Sequence, residues 1–301
     1  MYSTGKSHSG FTVIELLIAI LIIILLVGIS AVSYRGVMSL FAGVTVKNEM
    51  NNLATALEQY KSKFGEYPPD GQDVAISRRH ILKRWPQVLK NKGILDAAGM
   101  AALVPTEPSK ALHFWLCGPW RDGSAKCGFS TDKENPFGLL ANGSGFDPQC
   151  DSLETPFIDI TPDTESDGRH GGNTAMDSGY AFFVYRDLPI VYFRAEKMGY
   201  VIPNTDTATN RTIPFIPKQY DYGTTNGYAT PYMNSGKWFK PEGYQLIHAG
   251  EDGNFGKVSA QEYRENAYHP RDITVDTTLS LEDNDNVVNF IEGAVLQSAL
   301  Q

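Results

Sequence analysis

Residues Gly10 to Ser30 read "GFTVIELLIAILIIILLVGIS", an apolar run interrupted by one acid, Glu15. A lone carboxylate is costly in hydrocarbon, so its presence there needs a reason. Apolar or small residues continue to Ser33, giving 23 residues counted from Phe11. About 20 suffice to span a bilayer as a helix. The ten residues before the run, "MYSTGKSHSG", are polar and carry Lys6. A secretory signal peptide shares this outline, and "GISAVS" offers a cleavage-like site. Two features weigh against that reading. The run is longer than a typical signal core, and an acid lies inside it.

A third feature is the continuation. Val46, Met50, Leu53, Leu57, Tyr60 and Phe64 recur at steps of three and four, an apolar stripe of helical period. No proline occurs between Phe11 and Tyr67, and "FGEYPP" supplies a stop through Gly65, Pro68 and Pro69. One helix is therefore predicted from Phe11 to Phe64, about 80 Å long. Its first half is apolar all round and needs lipid or other helices. Its second half is apolar on one face and needs a globular partner. This divides the chain into a polar leader (1–10), a transmembrane half-helix (11–33), an amphipathic half of the same helix (34–64) and a globular body (65–301).

The chain has 301 residues, enough for a sizeable core. Fifteen Tyr, 15 Phe and 4 Trp argue against a disordered body. The net charge of -8 is uneven: residues 241–301 hold 11 acids against 3 bases, and the remainder is neutral. An acidic end argues against nucleic acid and suits either a bound cation or a solvated surface. Cys117, Cys127 and Cys150 form no CxxC pair, which disfavours zinc. Outside the cytoplasm, "CGPWRDGSAKC" accommodates a disulfide with one thiol left over; three buried thiols explain the cysteines almost as well.

In the body, "RRHILKRWPQVLKNKGILDAAGMAALV" predicts one or two short helices broken at Pro86. "ALHFWLCG" reads as a buried strand, and "NPFGLLANGSGFDPQCD" as loop. Tyr180–Tyr185 and Ile190–Phe193 flank "RDLP" and predict an antiparallel hairpin. "YQLIHAG" reads as a strand leading into the oxygen-rich turn "EDGNFG", and "LEDNDNVVNF" follows roughly thirty residues later.

The junction of Gly10 with Phe11 and Thr12, the acid Glu15 five residues into the mature chain, and the long apolar helix together resemble the type IV pilin and type II secretion pseudopilin family. The resemblance implies cleavage by a prepilin peptidase between Gly10 and Phe11, then N-methylation of Phe11. It implies that Glu15 pairs with the terminal amine of a neighbouring subunit during filament assembly. "FGEYPPD" resembles the segment after the helix in the major pseudopilin. Residues 244 to 293 resemble its C-terminal end, which implies a calcium site with Asp252 in the first turn and Asp283 and Asp285 in the second. The family implies an α+β, pilin-like fold, with the long N-terminal helix packed on a C-terminal antiparallel sheet and, here, a large inserted region. It also implies a single-pass inner-membrane protein with a cytoplasmic leader and a periplasmic body. Its partners would be the prepilin peptidase, other pilin or pseudopilin subunits and an inner-membrane assembly platform, with no nucleic acid. Residues 70–240 carry no such resemblance.

The chain has no HExxH, GxSxG or P-loop, and no enzymatic activity is expected. "DGRHGGN" around His170 is the most catalytic-looking cluster, and a glycine-rich turn explains it at least as well. The contrasting expectation is a membrane-anchored extracytoplasmic enzyme or binding protein that works through residues 70–240. Processing by a prepilin peptidase separates the two.

Overall fold

The computed structural model of the chain describes residues 12–90, 96–121, 127–159, 174–177, 180–185, 188–197, 199–200, 229–250, 252–255, 271–274, 285–292 and 296, with side chains except at 25, 27–42, 174–177, 180–182 and 271–272. It is an α+β protein that divides after Ala42 into two compact units, Met1–Ala42 and Gly43–Gln301.

Helix α1 spans Val13–Phe64. Lys61 and Lys63 sit in its last turn, where cations favour the carbonyl end of the helix dipole. Gly65, at φ +78°, closes it by donating to the Lys61 carbonyl at 2.7 Å. The stop therefore falls at the predicted "FGEYPP". The predicted stripe is the buried one. Val46, Met50, Leu53, Leu57 and Tyr60 are buried, and Phe64 packs partly covered beside them.

Helix α2 (Val74–Arg84) begins at Asp73, whose carboxylate accepts the amides of Ala75 and Ile76. A 3₁₀ turn over Pro86–Lys90 follows the break at Pro86. Helix α3 (Ala97–Ala102) starts at Asp96, which accepts from Ala98 and Gly99. These match the short helices expected there. Helix α4 (Pro108–Cys117) corrects a prediction, because "ALHFWLCG" is helix rather than strand. Every residue of α4 is buried, the polar Ser109, Lys110 and His113 included. The quoted run is apolar except at His113, and an apolar run that short reads equally as helix or strand. Pro108 at the first helical turn was the signal for a helix start.

The described strands, in chain order, are β1 (Thr174–Asp177), β2 (Tyr180–Tyr185), β3 (Leu188–Pro189), β4 (Val191–Glu196), β5 (Gly199–Tyr200), β6 (Tyr232–Asn234), β7 (Lys237–Trp238), β8 (Tyr244–His248), β9 (Arg271–Asp272) and β10 (Val287–Val288). One sheet has the order β1-β2-β3 and another β10-β8-β4-β5, both antiparallel throughout. A third, β7-β6-β9, joins β6 to β9 in parallel. The predicted hairpin forms in part. Val184 pairs with Pro189 and Tyr185 with Leu188, and the Ile190 amide reaches the Phe183 carbonyl at 3.0 Å. Past Ile190 the chain leaves β2 and pairs with β8, from Val191↔Ile247 to Arg194↔Tyr244.

Period-two alternation explains why this sheet is covered on both faces. Ile190, Tyr192, Tyr244, Leu246 and Val287 join the core that contains Leu57, Tyr60, Trp85 and Trp115. Val191, Phe193, Ile247 and Val288 join a second core with Tyr232 and Phe255. The second half of α1 thus shares a core with one face of the β10-β8-β4-β5 sheet.

Candidate functional site

Gly10 and Phe11, the expected processing residues, lie outside the described residues. Glu15, the expected assembly residue, is in the first turn of α1. The Thr12 carbonyl accepts the Leu16 amide at 3.2 Å, so Thr12 is the N-cap. The Glu15 amide donates to Thr12 Oγ1 at 3.3 Å, and Glu15 Oε2 accepts the Thr12 amide at 2.9 Å. The Thr12 hydroxyl also donates to Oε2 at 2.8 Å. This is a reciprocal capping box, and its signature, Thr-x-x-Glu, was legible in "TVIE". The box fixes the side chain and satisfies helix-end donors. Both bonds that the carboxylate accepts fall on Oε2.

The apolar side chains that follow, from Val13 to Ile24, are about half exposed or more. Among the described residues no helix is long and apolar enough to cross a membrane.

Two of the three expected calcium ligands come together. Strand β8 ends at His248, and β10 runs back beside it with Val287 opposite His248. The Asp252 amide donates to Asp285 Oδ2 at 2.9 Å. Asp252 Oδ1 in turn accepts the Asn254 amide at 2.7 Å. Gly250 makes this approach feasible. It sits at φ +72°, and a Cβ there would lie 2.3 Å from the Asp285 carbonyl oxygen. Asp283 lies outside the described residues. Among the described residues no group of three or more His, Cys, Asp or Glu side chains is placed to hold a metal. Asp252 and Asp285 are hard oxygen donors of the kind calcium takes, and they supply only part of the six to eight ligands it requires.

The turns are tied to the rest of the body. The Gly250 amide donates to His248 Nδ1 at 3.1 Å, so Nε2 carries the ring proton and donates to the Tyr185 carbonyl at 3.1 Å. Asn286 donates to the Tyr232 hydroxyl at 2.8 Å. From α1, the Lys47 ammonium donates to the carbonyls of Val288 and Ile291, the latter at 2.8 Å. Burial holds the Lys47 pKa below its ordinary value.

Sequence reasoning missed a buried polar chain between α1, α2 and the sheet. Arg84 Nη1 donates to the Tyr60 hydroxyl at 3.2 Å, which leaves that hydroxyl to donate to His80 Nε2 at 2.6 Å. His80 Nδ1 then donates to Glu66 Oε1 at 2.7 Å. The His80 hydrogen bond, with the charges of Arg194 and Lys83, holds Glu66 down at about 2 against the opposing effect of burial. Burial holds His80 below its ordinary value despite Glu66. Nearby, Asp70 accepts the Arg194 amide at 3.2 Å and both the amide and the side chain of Gln72. Burial still raises Asp70 to about 6. The spacing of these residues in sequence gives no hint of the cluster. Tyr60 and His80 are almost fully covered, so the chain of bonds ties α1 to α2 inside the body. The cluster around His170 lies outside the described residues.

No family model, curated protein or solved structure matches the chain.

Proposed function

We propose that this protein is a pilin-like structural subunit of a type II secretion pseudopilus, with a pilin-like fold built on α1. The observation that carries the reading is the sequence order Gly10-Phe11-Thr12 with Glu15 at the head of a helix 52 residues long. A prepilin peptidase cuts after Gly10 on the cytoplasmic side, and Phe11 becomes the methylated N-terminus. The chain waits in the inner membrane with its body outside the cytoplasm. An assembly platform then draws α1 into a bundle with the helices of other subunits, and the filament serves protein secretion.

Glu15 sets the register of that bundle. Its carboxylate carries a charge that hydrocarbon disfavours, and a neighbour's terminal amine removes the penalty. The capping box holds the side chain in one rotamer before the amine arrives, so less freedom is lost on pairing. At the other end, Asp252, Asp283 and Asp285 together with turn carbonyls would hold calcium, which would fasten the two acidic turns to each other.

Co-expression of the full chain with and without a prepilin peptidase tests the reading, by the mass of the N-terminal peptide. Loss of residues 1–10 with gain of one methyl, only when the peptidase is present, is expected. An intact N-terminus, or a cut after Ser30 or Ser33, refutes it.

A further inference from the structure

Helix α4 ends at Cys117, and Gly118 follows at φ +87° with its backbone against that of Gly128. A Cβ on Gly118 would lie 2.3 Å from the Gly128 carbonyl carbon, so only glycine permits the approach. Trp120 and Cys127 form an antiparallel bridge, and the Gly128 amide reaches the Pro119 carbonyl at 3.4 Å. These contacts bring residues 117 and 127 side by side. Both thiols are free and buried, and they hydrogen bond to each other.

A buried cation sits beside them. The Arg121 guanidinium donates to the carbonyls of Gly128, Phe137, Gly138 and Asp147 at 2.8 to 3.2 Å. Cys150 flanks the same guanidinium: a Cβ on Gly138 would meet Arg121 Nη2 at 2.7 Å and Cys150 Sγ at 3.0 Å. The hydrogen bond from Cys117, with the positive charge of Arg121, lowers the Cys127 pKa below that of an ordinary thiol. Burial raises that of Cys117.

We infer that Cys117 and Cys127 are joined by a disulfide in the working protein and that Cys150 remains a thiol. The inference rests on the extracytoplasmic location proposed above, since disulfides persist in oxidising compartments. The oxidant is a protein or small-molecule disulfide, RSSR. Cys127, as the thiolate, attacks one sulfur of RSSR, forms the mixed disulfide Cys127–S–SR and releases RSH after proton uptake. Cys117 then gives up its proton and attacks the Cys127 sulfur, forming the Cys117–Cys127 bond and releasing the second RSH. Two protein thiols are oxidised and one RSSR is reduced to two RSH. Because both sulfurs are buried, the exchange takes place as this segment folds. The bond fastens the end of α4 to the bridge at Trp120 and Cys127.

Two measurements on the full chain test this. In the first, detergent-solubilised protein is reduced in denaturant, returned to buffer with oxidised glutathione, alkylated and digested. The expected result is a fall from three titratable thiols to one, a linked peptide pair containing Cys117 and Cys127, and the same pair in Cys150→Ser. Three free thiols, or a link from Cys127 to Cys150, overturns the inference. In the second, thiols are alkylated in intact cells before lysis. Linked cysteines in cells support both the pairing and the location. If the link forms with glutathione and is absent in cells, the pairing stands as chemistry, while the disulfide in the working protein and the extracytoplasmic location both fail.

Discussion

Asp70 lets the internal polar chain be tested against pH. It is buried with its carboxylate on the Arg194 and Gln72 donors, and burial raises it from the ordinary 3.8 to about 6. An acid whose folded-state pKa is raised adds stability that is fully present below its unfolded value and is lost as pH rises through the folded one. Between pH 5 and pH 7 that loss is about 1.4 kcal/mol. His113 acts in the opposite sense. Burial depresses it to about 3, so its contribution is present above its unfolded value of 6.5 and declines as pH falls below that. The wild-type curve is therefore a sum of opposed slopes, and the informative quantity is a difference. Asp70→Asn keeps an acceptor for the Arg194 amide and removes the charge. Urea unfolding of the detergent-solubilised full chain, followed by tryptophan fluorescence at pH 5, 6 and 7, gives mutant minus wild-type stability. That difference should favour the mutant more at pH 7 than at pH 5, by about 1.4 kcal/mol. Parallel profiles for the two proteins would refute the reasoning.

Glu15→Gln preserves the capping box, because glutamine completes it as well as glutamate, and removes the charge. Both Glu15→Gln and Glu15→Leu should abolish filaments sheared from cells; wild-type filament yield from Glu15→Gln would reduce the role of Glu15 to capping. Gly250→Ala puts a side chain into a left-handed conformation, costing about 1–2 kcal/mol before the clash with Asp285 is counted. It should also erase any melting-temperature difference between calcium and EGTA, and a mutant as stable as wild type contradicts the close approach of the two turns. Leu57→Ala, on the fully buried stripe of α1, should cost about 2–5 kcal/mol in the same urea assay. A loss under about 1 kcal/mol would mean that α1 does not share the body's core.

What could be read beforehand followed from periodicity. The stripe from Val46 to Phe64 has one buried face, so its spacing was visible and its burial followed. The strand at Tyr244–His248 was legible from its β-branched and aromatic content. Helix α4 reads as a strand because "ALHFWLCG" is a short run broken only by His113, and an apolar run of that length does not separate helix from strand. The partnership of β4 with β8 was hidden for a related reason. Residues 188–196 serve two sheets in succession, and local sequence reports only the first turn. The capping box is a four-residue signature, Thr-x-x-Glu at Thr12 and Glu15, and is visible in sequence without any knowledge of the fold. The tie from Arg84 to Glu66 and the meeting of Cys117 with Cys127 depend on chain folding back on itself, which local patterns do not encode.

The grip of Lys47 on the carbonyls of Val288 and Ile291 has a mechanical consequence. If the chain assembles through α1 as proposed, load on the bodies would pass to the helices as shear. Lys47 joins the helix to the far end of the chain by two bonds that lie side by side. Such bonds share a load and yield together, as a pin does, instead of opening one after another like a zip. The same lysine reaches the strand that begins just after Asp285. A cation fastening the acidic turns, as proposed, would therefore stiffen the seat of the pin.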